Sequence, residues 1–171
     1  MLDSLFMTFW YFLPAGIANL VPPLTVHLPG LKQWQTPLDL GKSYRGTRIF
    51  GDHKTIRGLT VGLFCGTLTC VLQSIFIPTP YHPVILGFLL SLGALGGDAL
   101  KSFFKRRTSI PPGRTWFPFD QLDYIVGGLL LSRLYFIPPL PIYLGVFFLY
   151  FGLHLLFSYI GFRLHLKSQP I

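Results

Sequence analysis

Apolar and polar positions along this chain fall into blocks. Five apolar blocks, about 5–28, 59–77, 83–101, 119–137 and 141–162, each come close to the roughly 20 residues that carry an α-helix across a bilayer. The pattern predicts an all-α, polytopic membrane protein with five transmembrane helices in a single integral-membrane catalytic domain, 1–171. Pro14, Asn19, Pro22 and Pro23 are expected to interrupt the first helix. A break at membrane depth is tolerated where it faces protein or a wet cavity. Asn19 there can serve an interhelical hydrogen bond or meet a substrate headgroup. Glycines recur at Gly58, Gly62 and Gly66 and at Gly93 and Gly97, stripes that let helices approach closely.

Composition settles the class. Of 171 residues, 51% are hydrophobic and 12% charged, against about 25% charged in a soluble domain. Cys65 and Cys70 lie in an apolar block and read as packing residues, not as a disulfide or zinc framework. The first block has no signal-peptide pattern and is expected to stay in the mature protein. The formal net charge is +8, and the chain has no Glu. Thirteen of its fourteen Lys and Arg fall in the loop after the first block, around the loop after the third, or in the tail. The positive-inside rule places those segments in the cytoplasm and the N-terminus outside. Arg133 is the exception, able to snorkel to the far surface or to pair inside the bundle.

The chemistry gathers at the two polar loops, about 29–58 and 102–118. On a helix, Asp98, Lys101, Ser102 and Lys105 share one face. Asp120 and Asp123 share another at the start of the fourth block. Three converging carboxylates repel unless a cation neutralises them, which suits a divalent metal, and cations beside a metal suit a polyphosphate. The first loop carries Lys32, Lys42, Arg45, Arg48, Lys54 and Arg57. Gly41, Gly46, Gly51 and Gly58 permit a phosphate cradle, although no Walker A pattern is present. By charge alone these bases suit anionic lipid headgroups as well as a nucleotide.

Gly97-Asp98, then Ser102-Phe103-Phe104-Lys105-Arg106, then Asp120-Gln121-Leu122-Asp123 resembles the C-terminal motif of CDP-diacylglycerol synthases, G-D…S-x-x-K-R…D-R-x-D, with Gln121 in the place of Arg. Pro37-Leu38-Asp39-Leu40-Gly41-Lys42 and the run from Arg48 to Gly58 look like the archaeal CDP-archaeol synthases. That resemblance covers nearly the whole chain. It implies a magnesium-dependent nucleotidyltransferase of the cell membrane with its site on the cytoplasmic side. The implied reaction joins CTP to 2,3-bis-geranylgeranylglycerol 1-phosphate, an isoprenoid ether lipid phosphate, releasing pyrophosphate. Asp98, Asp120 and Asp123 would hold one or two Mg²⁺ and, with Lys101, form the catalytic set. Asn19, Asp52, Lys54, Thr55, Arg57, Ser102, Lys105 and Arg106 would bind substrates. The bilayer is the expected partner, and no nucleic acid is.

Other classes fit less well. A CDP-alcohol phosphotransferase needs D-x-x-D-G-x-x-A-R and a second acidic pair, and only D-x-x-D is present. The Gly- and Asn-rich motifs of a small acyltransferase are missing. An anion channel or scaffold explains the basic face but not three acids beside it, and it predicts no magnesium dependence.

Overall fold

Helices form where the apolar blocks predicted them, and their ends differ for physical reasons. The structure, a computed structural model, describes residues 2–111 and 114–164. The Pro112-Gly113 turn and the tail bases His165 and Lys167 lie outside the described residues. Among the described residues five α-helices run in order: α1 Leu2–Leu24, α2 Ile56–Phe76, α3 Pro83–Arg107, α4 Phe119–Ser132 and α5 Leu140–Arg163. All but α4 are long and apolar enough to cross a membrane.

The expected break in α1 does not occur: the helix runs through Pro14, Pro22 and Pro23. Proline at position 14 removes the N–H that would bond the Trp10 carbonyl. Gln73 of α2 replaces it, its Nε2 donating to Trp10 O at 2.8 Å. The carbonyl of Ala18, freed in the same way by Pro22, lies against Gly62 of α2. Satisfaction by a neighbouring helix is what lets a proline-bearing helix persist in lipid.

Helix α3 extends two turns beyond the expected block, so Lys105, Arg106 and Arg107 form its last turn. Cations there complement the negative end of the helix dipole. Helix α4 is shorter than the expected 119–137 block. It ends at Ser132, whose Oγ donates to Leu129 O at 3.2 Å, and Pro138-Pro139 precede α5. Its 14 residues rise about 21 Å, less than the roughly 30 Å hydrocarbon core. Arg133 caps its end and is exposed.

Close contact between α3 and α4 sets their register. A Cβ on Gly97 would overlap the Asp123 carbonyl, and one on Gly93 the Gly127 carbonyl. Phe12, Leu90, Ile125 and Val146, all fully buried, fill the bundle between α1, α3, α4 and α5. Two tyrosines pin α5: Tyr150 Oη donates to Phe9 O at 2.7 Å, and Tyr124 Oη donates to Tyr150 O at 3.0 Å. Phe64, Phe76 and Phe148 project outward with 66%, 77% and 72% exposure. Apolar surface of that extent is lipid-facing surface; the chain is a multi-pass membrane protein.

The long loop is folded, which the hydrophobic pattern did not predict. Its ends are joined by Leu38 N–H to Lys54 O, 2.7 Å, and Ile56 N–H to Thr36 O, 2.9 Å. Between them, β1 (Ser43–Tyr44) pairs antiparallel with β2 (Thr47–Arg48). The hairpin turns through Arg45 and Gly46 at φ 51° and 77°, the two positive φ values of a type I′ turn, for which Gly at the second position is favoured. Asp39 is the hub. Its carboxylate accepts from the backbone N–H of Gly41, Phe50 and Gly51 at 3.1, 2.9 and 3.0 Å. It also accepts from Arg48 Nη2 at 2.6 Å and Nε at 3.3 Å. Burial alone would raise its pKa, but Arg48 and those three N–H groups outweigh burial and hold it well below the usual carboxylate range.

Two outcomes follow from this packing. Gln73→Leu leaves the Trp10 carbonyl unpartnered and should cost about 1–3 kcal/mol, read as a lower unfolding midpoint in detergent. An unchanged midpoint would mean that another donor serves that carbonyl. Because the folded pKa of Asp39 is depressed, its stabilisation is complete above about pH 4 and is lost as pH falls below that value. Asp39→Asn should therefore speed proteolysis of segment 37–55 by roughly tenfold at neutral pH. The gap from the parent should narrow at pH 3 in an acid-tolerant protease assay, and a gap independent of pH would contradict the assignment.

Candidate functional site

A cluster of three acids and three lysines lies where the C-terminal part of α3, the start of α4 and the long loop meet. Helical spacing puts Asp98, Lys101, Ser102 and Lys105 on one face of α3. The Gly97 contact brings that face against the first turns of α4, which carry Asp120 and Asp123. All three carboxylates turn toward one ammonium. Lys101 Nζ lies 3.1 Å from Asp98 Oδ1, 3.0 Å from Asp120 Oδ1 and 2.7 Å from Asp123 Oδ2. Lys105 Nζ pairs with Asp120 Oδ2 at 3.2 Å. Lys54 comes across from the loop to contact Asp98 Oδ2.

The carboxylates are held from outside the cluster as well. Trp116 N–H donates to Asp120 Oδ2 at 2.5 Å, and Tyr124 N–H to Asp123 Oδ1 at 2.6 Å. Ser102 Oγ donates to the Asp98 carbonyl at 3.0 Å. Asp123 is the most enclosed, with 5% side-chain exposure. Its Oδ2 is buried and has no aligned hydrogen-bond partner among the described residues; its 2.7 Å approach to Lys101 is an ion pair.

Among the described residues, no group of three acidic, histidine or cysteine side chains is close enough to ligate one ion. The chemistry of the donors still fits a hard divalent cation: carboxylate oxygens alone, converging on one point, with a buried Asp123 oxygen directed there. The point is held by Lys101, and the N···O separations exceed the roughly 2.0–2.1 Å of Mg–O bonds.

Beside the cluster opens a cleft of about 480 Å³. Arg48, Gly51, Asp52 and His53 of the loop form one wall, and Ser102, Arg106 and Ser109 form the other. Lys54 belongs to both features, since it lines the cleft and contacts the Asp98 carboxylate, while Ser102 lines the cleft and bonds the Asp98 main-chain carbonyl. Arg106 Nε is buried without a hydrogen-bond partner among the described residues. Arg107 stacks at 3.4 Å on Phe103 and at 5.3 Å on Tyr44, which fastens the hairpin to α3.

The structure thus brings together Asp98, Lys101, Asp120, Asp123, Lys105 and Lys54, and places Asp52, Ser102 and Arg106 along the adjoining cleft. Asp52 pairs with Arg48 at 2.8 Å and is exposed. Three expected binding residues have other surroundings. Thr55 caps α2, its Oγ1 accepting from Gly58 N–H at 3.1 Å. Arg57 is buried, its Nη1 donating to Leu31 O at 2.9 Å. Asn19 is half-buried on α1. Arg48, one of the loop bases expected to meet an anion, lines the cleft with His53 and Ser109, and Asp39 organises the loop that forms it; His53, Ser109 and Asp39 are functional positions that charge pattern alone does not mark. A signal for Asp39 was present, since Asp two residues before Gly is the pattern of an Asx turn.

Comparison with known proteins places the chain in a family. The profile of one family, described as CarS-like CDP-archaeol synthase, matches residues 1–171. The CDP-archaeol synthase of Pyrococcus furiosus is 45% identical over 130 residues, covering 72% of each chain. That of Methanocaldococcus jannaschii is 37% identical, covering 96% of each chain. A solved structure, described as an intramembrane enzyme for archaeal membrane lipid biosynthesis, superposes with a TM-score of 0.76. It shares 32% identity, with 88% of this chain and 91% of that one covered. On these likenesses, which span its whole length, the chain belongs to the CDP-archaeol synthase family and is a nucleotidyltransferase.

Proposed function

We propose that the chain transfers the cytidylyl group of CTP to 2,3-bis-geranylgeranylglycerol 1-phosphate in archaeal membrane lipid biosynthesis. The observation that carries this reading is the convergence of Asp98, Asp120 and Asp123 beside a cleft lined by Lys54 and Arg106. An oxygen of the lipid phosphate attacks the α-phosphorus of CTP. The bond from that phosphorus to the bridging oxygen breaks, and pyrophosphate leaves. A phosphomonoester, with its second pKa near about 6, is largely ionised at neutral pH, so no strong base is required. The protein's tasks are in-line positioning and neutralisation of charge.

Lys54, Lys105 and Arg106 bind phosphate oxygens, and Lys101 joins them at the reacting phosphates. Ser102 and Asp52 border the nucleotide. Asp39 acts as a positioning residue, because it fixes the hairpin that forms one wall of the cleft. Asp98, Asp120 and Asp123 would hold Mg²⁺, which when bound supplies positive charge against the phosphates and the leaving pyrophosphate. Thr55 and Arg57 support the reaction through the loop base, where they cap α2 and tie down Leu31. Asn19 faces the lipid headgroup from α1. The domain is a single one, 1–171. Its α4 makes a fifth, short crossing, and the basic loops face the cytoplasm, where CTP is available, with the N-terminus outside.

The decisive assay follows pyrophosphate release from purified protein in detergent with CTP and Mg²⁺. One sample receives the geranylgeranyl ether lipid phosphate and another receives phosphatidic acid. Release is expected with the ether lipid, and chelation by EDTA should stop it. Equal release with both lipids would widen the substrate class, and no release in protein that binds CTP would refute the reading. Asp98→Asn should lower turnover by roughly 10²–10³-fold while the protein still inserts and folds. Near-normal turnover in that variant would remove Asp98 from the cation-binding set.

A further inference from the structure

We infer that Lys101 holds the cation position among Asp98, Asp120 and Asp123 until a nucleotide arrives, so that divalent metal enters only together with the triphosphate. The inference rests on the reading of those aspartates as the metal site and adds a rule for how that site fills.

Geometry supplies the first argument. One ammonium stands 2.7–3.1 Å from an oxygen of each of the three aspartates. A divalent ion held by the same oxygens would need them drawn in from those separations to about 2.0–2.1 Å, around the point that the ammonium now occupies. The ion and the ammonium cannot coexist there, both by volume and by like-charge repulsion. Metal binding at this site is therefore an exchange and not a simple addition.

Charge supplies the second. Asp98, Asp120 and Asp123 are matched by Lys54, Lys101 and Lys105, each paired with at least one of them. The cluster is neutral as it stands, so bare metal gains no net attraction from it. Entry of a doubly charged ion would leave two surplus positive charges in a partly enclosed place, where unpaired charge is costly. A triphosphate removes that surplus by giving the displaced ammonium a new anionic partner. Lys54 connects the two features, because it pairs with Asp98 and lines the cleft. The unbranched lysine stem can carry its charge from carboxylates to phosphates.

The test uses the full chain in detergent with Mn²⁺ as probe. Retained metal is measured by equilibrium dialysis and electron spin resonance against matched CTP-only controls, because CTP itself chelates Mn²⁺. Wild type should retain Mn²⁺ with CTP and little without it. Lys101→Met should bind Mn²⁺ in the absence of CTP at least about tenfold more tightly than wild type, a difference of about 1.4 kcal/mol. Lys101→Arg, which keeps the cation, should behave as wild type. Lys105→Met separates occupancy from general electrostatics: if it tightens Mn²⁺ binding as much as Lys101→Met does, the inference is overturned. Because Lys101→Met also leaves carboxylates uncompensated, its unfolding temperature should drop without metal and recover with Mn²⁺; wild type should show no such recovery. Absence of CTP-independent Mn²⁺ binding in Lys101→Met, with wild type still retaining Mn²⁺ in the presence of CTP, refutes the exchange alone. Absence of Mn²⁺ from every sample, with CTP still bound, refutes the metal reading itself.

Discussion

Carboxylates cannot be gathered at the end of a helical bundle without a cation among them. Two charges 4 Å apart interact by about 4 kcal/mol at an effective dielectric of 20, so three unpaired aspartates would force the helix ends apart or take up protons. Lys101 resolves this at one point, and Lys54 and Lys105 complete the neutralisation from the two sides. The relation of the loop to the bundle depends on the same pairing. Lys54 lies two residues before α2, and its contact with Asp98 draws the cleft's hairpin wall onto α3.

That arrangement requires helices closer than ordinary side chains allow. The α3–α4 contact has glycine on both sides, with Gly93 and Gly97 facing Gly127. A methyl group at Gly97 would strike the Asp123 carbonyl, so backbone spacing and carboxylate placement are set by the same residue pair. The α1–α2 contact is close for a related reason. Proline-freed carbonyls of α1 face α2, which donates the Gln73 amide to that of Trp10 and lies with its bare Gly62 against that of Ala18. A glycine stripe with a single polar residue thus serves both shape and hydrogen bonding.

The parts of this design that follow helical periodicity were legible in the sequence. Spacing alone placed Asp98, Lys101, Ser102 and Lys105 on one face, and the glycine repeats marked the close contacts. Features that depend on where a side chain turns were not legible. Arg57 and Thr55 sit in a basic stretch that reads as phosphate-binding, yet one ties down the Leu31 carbonyl and the other caps α2. Capping and carbonyl bonding leave no trace in charge pattern. The prolines of α1 read as breaks because periodicity does not register that another helix can supply the missing donor. The end of α4 at Ser132 was hidden in the same way, since Leu134 to Ile137 continue the apolar run without continuing the helix.

Asp39 shows how the loop reconciles order with a surplus of bases. Lys42, Arg45, Arg48, Lys54 and Arg57 crowd one loop and would repel one another into an open chain. A single shielded carboxylate, with 0% side-chain exposure, takes up one guanidinium and three backbone N–H groups and so closes two turns at once. Arg48 is then fixed between Asp39 and Asp52. Lys54, paired with Asp98, and Arg106 on the facing α3 wall then meet an arriving anion in a cleft whose loop wall is already folded. Ordering that wall beforehand removes an entropy cost that a flexible basic loop would meet at each binding event. Five of the six acids contact a cation, Asp39 and Asp52 in the loop and the three aspartates at the helix ends.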